Sequence, residues 1–196
     1  MRSTSRAILV LGLCLLLLST SAWAQQKEKP RLHGRSAQDA SRNEEWLKRE
    51  VLHELMMLPY YSVFDNLAFR VEGEKVTLLG QVVRPTLKQD AERAVKDIEG
   101  VSQVDNQIEV LPTSIQDDRL RNRLLHAIYD HPVLQKYAIQ NIPPVHVIVR
   151  NGHVTLEGVV NNEMEKNVAE MQAKSVPEVF SVTNNLRAEN PGKEGK

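Results

Sequence analysis

The amino-acid sequence predicts an α+β protein made of two tandem α-β-β-α-β units, each a small three-stranded sheet packed by two helices. When the sequence is shifted by 78 residues, residues 67–110 align without a gap with residues 145–188, and 13 of the 44 pairs are identical. Upstream, residues 41–59 align with residues 114–132 at a shift of 73, which places a five-residue insertion after Pro132. Self-similarity of this kind indicates duplication, and an insertion is tolerated best in a loop.

Each unit is predicted to begin with a helix. Ser41 and Ser114 are each followed three residues later by an acidic residue, a pattern typical of a helix N-terminus. Apolar side chains then recur at helical spacing, and Pro59 and Pro132 end the two helices. The core-facing residues of these helices are Leu47, Val51, Leu55 and Leu58 in the first copy, and Leu120, Leu124 and Ile128 in the second.

A β-hairpin, a second helix and a third strand complete each unit. Apolar residues alternate before turns at Gly73 and at Asn151-Gly152, and Asn-Gly between apolar runs is a strong hairpin signal. The returning strands have the pattern Val-x-Leu-x-Gly-x-Val, in which Gly80 and Gly158 match. We expect these glycines where helix and sheet approach closely. In the first copy, Gly100 follows the second helix as a C-terminal cap, and the third strand begins at residue 101.

Residues 1–24 are predicted to be a cleaved secretory signal peptide, with an uncleaved anchor as the alternative. Two arginines precede 12 apolar residues, 7–18, which are too few to span a bilayer about 30 Å thick. Ala22 and Ala24 form the small-x-small pattern of a cleavage site. Cys14 follows Leu13 inside the apolar run, so a lipoprotein is not expected. We predict that the mature chain consists of a flexible lead-in (25–40), domains 41–112 and 113–188, and a disordered tail (189–196).

The composition excludes several function classes. The 25 basic and 25 acidic side chains balance, so the sequence offers no electrostatic basis for binding nucleic acid. The single cysteine excludes a disulfide framework, and it lies in the signal peptide. None of the six histidines has the spacing of a zinc helix, and no phosphate loop or nucleophile motif is present. We therefore predict no catalytic, cofactor-binding or metal site, with the matched His53 and His126 in packing or hydrogen-bonding positions.

The repeated motifs resemble those of the BON domain. The resemblance is carried by the α-β-β-α-β order, the Val-x-Leu-x-Gly-x-Val strand and the sequence Gly-Val-x-x-Val-x-Asn that starts at Gly100, and it covers residues 41–188. Copy two departs from it where Pro177-Glu178 replaces Glu99-Gly100. The resemblance implies a non-enzymatic periplasmic module associated with envelopes, phospholipid surfaces or osmotic stress. Some family members with paired domains bind anionic phospholipid through the second domain.

One candidate surface is an apolar stripe on the second helix of copy two. Met164, Val168 and Met171 lie within about 60° of one another on that helix and about 150° from its core-facing side. Their counterparts in copy one are the polar residues Thr86, Asp90 and Arg93. The stripe either docks onto copy one or the tail, or contacts lipid or a partner protein.

Two further candidates are a pair of arginines and a pair of tyrosines. Arg119 and Arg123 are four residues apart on the first helix of copy two, where they could contact anionic headgroups or form part of a solvated charged face. Tyr60 and Tyr61 follow the first helix of copy one, and one of them could be exposed and amphipathic.

Together these features predict an exported, periplasmic, non-enzymatic binding module of the cell envelope. We expect it to contact a phospholipid surface, in particular an anionic one, or an envelope protein, with no transmembrane span in the mature chain. The alternative is a structural or osmotic-stress-protective periplasmic protein that works through protein–protein assembly.

Overall fold

The computed structural model describes the backbone of residues 37–190 and the side chains from residue 41 onward. It confirms the α+β prediction. Domain 1 consists of helices α1 (Ala37–Met56) and α2 (Pro85–Lys96) and strands β1 (Asn66–Glu72), β2 (Lys75–Val82), β3 (Gln103–Asn106) and β4 (Glu109–Val110). Domain 2 consists of helices α3 (Ile115–Tyr129) and α4 (Glu163–Ser175) and strands β5 (Val145–Arg150), β6 (His153–Val160), β7 (Ser181–Asn184) and β8 (Arg187–Ala188).

The two sheets have the same topology and the same register. In domain 1, β1 runs antiparallel to β2 with Phe69 opposite Leu78, and β3 and β4 run parallel to β2 on its other side. In domain 2, Val147 lies opposite Leu156 in the same arrangement. Because the pairing follows the 78-residue shift, the duplication seen in the sequence is a duplication of the fold. The predicted third strand is interrupted in each domain, after Asn106 and after Asn184.

A matched asparagine explains the interruption and several of the identities between the copies. The Asn106 amide nitrogen donates to the Lys88 carbonyl at 2.9 Å and to Glu92 at 3.1 Å, while its oxygen accepts from the Ile108 amide at 3.2 Å. Asn184 makes the equivalent three bonds in domain 2. One side chain therefore ties the second helix to the third strand and binds a backbone amide that has left the strand pairing.

The matched glycines lie where two strands approach closely. Gly80 and Gly158 have φ values of +111° and +120°, a region that L-residues rarely adopt. A Cβ on Gly80 would lie 2.0 Å from the Asn66 carbonyl oxygen, and one on Gly158 would lie 1.9 Å from that of Pro144. The expectation that a helix approaches the sheet here is therefore wrong, because the close neighbour is Asn66 in β1 or Pro144 directly before β5.

Each domain has its own apolar core between one face of its sheet and its two helices. The fully buried side chains of domain 1 include Val51, Leu78, Leu87 and Val95, and those of domain 2 include Leu124, Ile128, Leu134 and Leu156. Glu165 occupies the position in domain 2 that Leu87 occupies in domain 1, and it is buried as well.

The structure differs from the predicted domain boundaries at both ends of the two-domain region. Helix α1 begins at Ala37, so Ser41 lies inside it instead of capping it, and the last four residues of the predicted lead-in are helical. At the other end, the Glu189 and Asn190 amides bond to Val160 and Asn161, which continues the strand pairing into the predicted tail. The predicted signal peptide, residues 25–36 and residues 191–196 lie outside the described part of the chain.

The two domains contact each other through the loop between α1 and β1. Val63 in this loop is 8% exposed and belongs to the core of domain 2, against which Phe64 also packs. The Val147 amide on the outer edge of β5 donates to the Val63 carbonyl at 2.8 Å. The shape of the loop is held by buried Asp65, which accepts from the Ser62 amide and hydroxyl. Domain 1 thus supplies one residue of the hydrophobic core of domain 2.

Candidate functional site

Helix α4 carries the apolar stripe predicted from the sequence. Its N-terminus is capped by Asn162, whose side chain accepts from the Glu165 amide at 2.9 Å. Ala169 and Ala173 form its core-facing side and are fully buried. These small side chains bring α4 close to the sheet, and the opposite side of the helix is left facing outward.

The stripe is exposed over most of its length. The side chains of Met164 and Met171 are 57% and 61% exposed, so domain 1 does not cover them. Val168 is half-buried and packs against the core of domain 2, so it forms the base of the stripe. The equivalent face of α2 in domain 1 is polar, and there Arg93 pairs with Asp90 at 3.2 Å.

The two candidate arginines of α3 differ in their surroundings. Arg119 is exposed. Arg123 forms an ion pair with Glu178, which lies in the segment that follows α4. Glu178 stands where domain 1 has Gly100 and has a φ of +74°, an uncommon backbone conformation for a residue with a side chain. The Arg123 charge is therefore already balanced, and Arg119 is the better candidate for a headgroup contact.

Two exposed apolar residues, one at the start of α3 and one after α4, are not among the candidates predicted from the sequence. Ile115 lies one helical turn before Arg119 on the same side of α3, and Phe180 lies two residues after Glu178. Their counterparts in domain 1 are Arg42 and Ser102, both polar and exposed. The comparison of the two copies that singled out the methionines would have found these residues too. We use the name α3–α4 face for the candidate residues that α3, α4 and the segment after α4 carry: Ile115, Arg119, Arg123, Met164, Val168, Met171 and Phe180.

The two candidate tyrosines lie in domain 1, between α1 and β1, and neither belongs to the α3–α4 face. Tyr60 is exposed, and the Arg84 guanidinium lies 4.8 Å from the centre of its ring. Tyr61 is half-buried against the domain 1 core and stacks on His146 of domain 2, with ring centres 5.7 Å apart. Burial raises the pKa of Tyr61 to about 12 and lowers that of His146. Tyr61 thus belongs to the contact between the domains.

The most connected buried polar group is Glu165. Its carboxylate accepts from the Lys136 ammonium and the Tyr137 hydroxyl, both at 2.6 Å, and from the Asn161 amide at 3.0 Å. Burial opposes its ionisation, but these hydrogen bonds hold its pKa below the ordinary value. Lys136 and Tyr137 lie in the insertion of the second copy, so the network anchors the inserted segment to α4.

Metal binding and membrane crossing have no candidates in the part of the chain that the structure describes. Within residues 37–190, no group of three or more histidine, cysteine, aspartate or glutamate side chains could hold a metal ion. The matched His53 and His126 are both exposed, and His126 lies 3.3 Å from Asp130. Among the described helices, none combines the length and the hydropathy needed to span a bilayer.

Comparison with known proteins identifies the repeated unit. The sequence profile of the BON domain matches twice, at residues 43–112 and 116–190. A search of curated proteins found no significant match. Among solved structures, CdsD, a structural protein of the type III secretion system of Chlamydia trachomatis, shares 16% identity over 76% of this chain and 94% of its own, with a TM-score of 0.27. The C-terminal domain of CdsD shares 15% identity over 72% of this chain and 96% of its own, with a TM-score of 0.26.

Both TM-scores are low, whereas the two profile matches cover most of the chain. BON domains are non-enzymatic binding modules of phospholipid surfaces and cell envelopes, and proteins that contain them are typically periplasmic or envelope proteins. The chain belongs to the BON-domain family and contains two BON domains in tandem.

Proposed function

We propose that this protein is an exported, non-enzymatic module that binds anionic phospholipid at the bacterial cell envelope through the α3–α4 face of domain 2. One observation carries the proposal. At four exposed positions domain 2 has an apolar residue where domain 1 has a polar one. These positions are Ile115, Met164, Met171 and Phe180 in domain 2 and Arg42, Thr86, Arg93 and Ser102 in domain 1.

The duplication makes this difference informative. Both domains fold with the same register, so folding alone does not require apolar side chains at these positions. Exposed apolar side chains beside a basic residue suit the boundary between headgroups and acyl chains. Methionine is flexible and adapts to irregular surfaces, which favours a lipid contact. Arg119 would add about 1 kcal/mol near an anionic surface.

The experiment is vesicle flotation with variants at matched positions. Met164→Asp combined with Met171→Asp places two charges on the α3–α4 face, and Thr86→Asp combined with Ser102→Asp places two acidic side chains on domain 1. We expect the wild type and the domain 1 variant to float with vesicles that contain phosphatidylglycerol, and the domain 2 variant to remain in solution. All four positions are exposed, so each variant should stay folded.

Lipid composition and salt concentration distinguish electrostatic binding through Arg119 from apolar binding through the methionines. Flotation lost on pure phosphatidylcholine or at high salt would indicate headgroup binding through Arg119. Salt-insensitive flotation would assign the binding to the methionines. If the wild type floats with neither lipid, direct lipid binding is wrong, and the alternative of a protein that works through protein–protein assembly takes its place.

A further inference from the structure

Domain 1 has a groove between α1 and β1 that matches an occupied groove in domain 2. In domain 2, the space between α3 and β5 receives Val63, and Leu125 and Val147 belong to the apolar cluster around it. The matched residues of domain 1 are Leu52 and Phe69, which line a groove between α1 and the edge strand β1. The chain therefore contains one filled and one open copy of the same groove.

The side chains of the open groove are more exposed than their counterparts. Leu52 in the groove is 53% exposed, whereas its counterpart Leu125 is half-buried. Met56, one helical turn further along α1, is 44% exposed, whereas its counterpart Tyr129 is 4% exposed. Val147 is fully buried, and its counterpart Phe69 is half-buried. Domain 1 thus keeps an apolar surface at the place where domain 2 is covered.

The backbone at the open groove also lacks the bond that its counterpart makes. The Val147 amide donates across the edge of β5 to the Val63 carbonyl. Phe69 holds the same register position on β1, so its amide points outward from the sheet edge. Within residues 37–190, no backbone carbonyl outside the sheet accepts from it. An edge of this kind is a template for pairing with another chain.

The other half of such a contact lies in domain 2. The loop between α3 and β5 has the same place in domain 2 as the Val63 loop has in domain 1. It contains the five-residue insertion, is anchored through Tyr137 to Glu165, and presents Ile139, which is 90% exposed. Ile139 is thus an aliphatic side chain on an anchored loop, as Val63 is on the loop held by Asp65.

We propose that the protein associates head to tail with a second copy, the Ile139 loop of one molecule occupying the Leu52–Phe69 groove of the next. The contact repeats between molecules the one that domain 1 makes with domain 2 within the chain. The interface is heterologous, because each molecule offers a loop of domain 2 and a groove of domain 1. Such an interface builds open chains or closed rings, and their population increases with protein concentration.

The test uses one variant for each half of the interface. Leu52→Glu blocks the groove and Ile139→Asp blocks the loop, and both residues are exposed, so neither change should unfold the protein. We expect the mass of the wild type in sedimentation equilibrium to rise above that of a monomer at protein concentrations up to about 1 mM. Each variant alone should remain a monomer.

Mixing the two variants gives the sharper result. The Leu52→Glu protein keeps its loop and the Ile139→Asp protein keeps its groove, so the mixture should form a one-to-one dimer and nothing larger. A wild type that stays monomeric overturns the proposal, as does an oligomer that both variants leave intact. A mixture that stays monomeric also overturns it, because a symmetric dimer would be blocked in both variants and could not be restored by mixing.

Discussion

The insertion of Val63 into domain 2 predicts that a substitution in domain 1 weakens domain 2. Val63→Ala removes two carbon atoms from a side chain that is almost fully buried in the domain 2 core. At about 0.8 kcal/mol per buried carbon, plus a small cavity, the loss is about 2 kcal/mol. That loss corresponds to about a 30-fold increase in the population of open domain 2.

Native-state hydrogen exchange measures this effect strand by strand. We expect the amides of β6 to lose about 30-fold in protection in Val63→Ala, while those of β2 change by less than about 3-fold. Val95→Ala, in the core of domain 1, is the matched control and should produce the opposite pattern. The reasoning is refuted if Val63→Ala lowers the protection of β2 as much as that of β6, or if it changes neither.

Three further predictions concern stability in urea. Gly158→Ala should lower the free energy of unfolding by more than about 3 kcal/mol, because the new Cβ would lie 1.9 Å from the Pro144 oxygen. Gly73 has open space around it, so Gly73→Ala should lower the free energy of unfolding by only about 1 kcal/mol, because of the positive φ. Glu165→Ala should cost about 2–3 kcal/mol because the buried donors around it lose their acceptor. Burial lowers the pKa of His146, so the unfolded chain binds a proton at about pH 6.5 before the folded one does. The wild type should therefore lose more stability between pH 7 and pH 5 than His146→Gln does.

Each of these predictions has a contradicting result. Equal costs for the two glycine substitutions would mean that the strands can separate at Gly158 without penalty. A neutral Glu165→Ala variant would mean that the insertion is not anchored through its carboxylate. If wild type and His146→Gln lose the same stability on acidification, the titration of other groups accounts for the pH dependence.

The helices and strands could be predicted because the sequence contains two copies of the same unit. Positions that match in both copies, such as Gly80 with Gly158 and Asn106 with Asn184, carry the same backbone and hydrogen-bond roles in both domains. The structural role of each matched residue was harder to predict. The spacing indicated that Gly80 lies at a close approach, but which element comes close depends on the φ value and on the curvature of the hairpin.

The contact between the domains could not be predicted from local patterns. Val63 lies in a short loop without periodicity, and its burial depends on the edge of a strand 84 residues later in the chain. The start of α1 was predicted wrongly for a similar reason. Ser41 has the sequence of a cap, but the preceding residues from Ala37 can also form a helix, and α1 includes them.

The candidate surface was predictable in part. Comparison of the copies identified Met164 and Met171, and the structure places both in exposed positions. The same reasoning applied to Arg123 did not foresee Glu178, because an ion pair between residues 55 positions apart depends on tertiary structure. Tyr61 was proposed for its amphipathic character, and that character is used at the contact with His146.

The central claim, that domain 2 contacts anionic lipid through the α3–α4 face, can be tested at the methionine methyl groups. Apart from Met1, the chain has Met56 and Met57 in domain 1 and Met164 and Met171 in domain 2, and all four are exposed. Methyl NMR spectra recorded with phosphatidylglycerol nanodiscs that carry a spin-labelled lipid report which methyl groups approach the bilayer. The account predicts that the signals of Met164 and Met171 broaden and those of Met56 and Met57 do not. Broadening of the domain 1 methionines alone, or of no methionine, would contradict it.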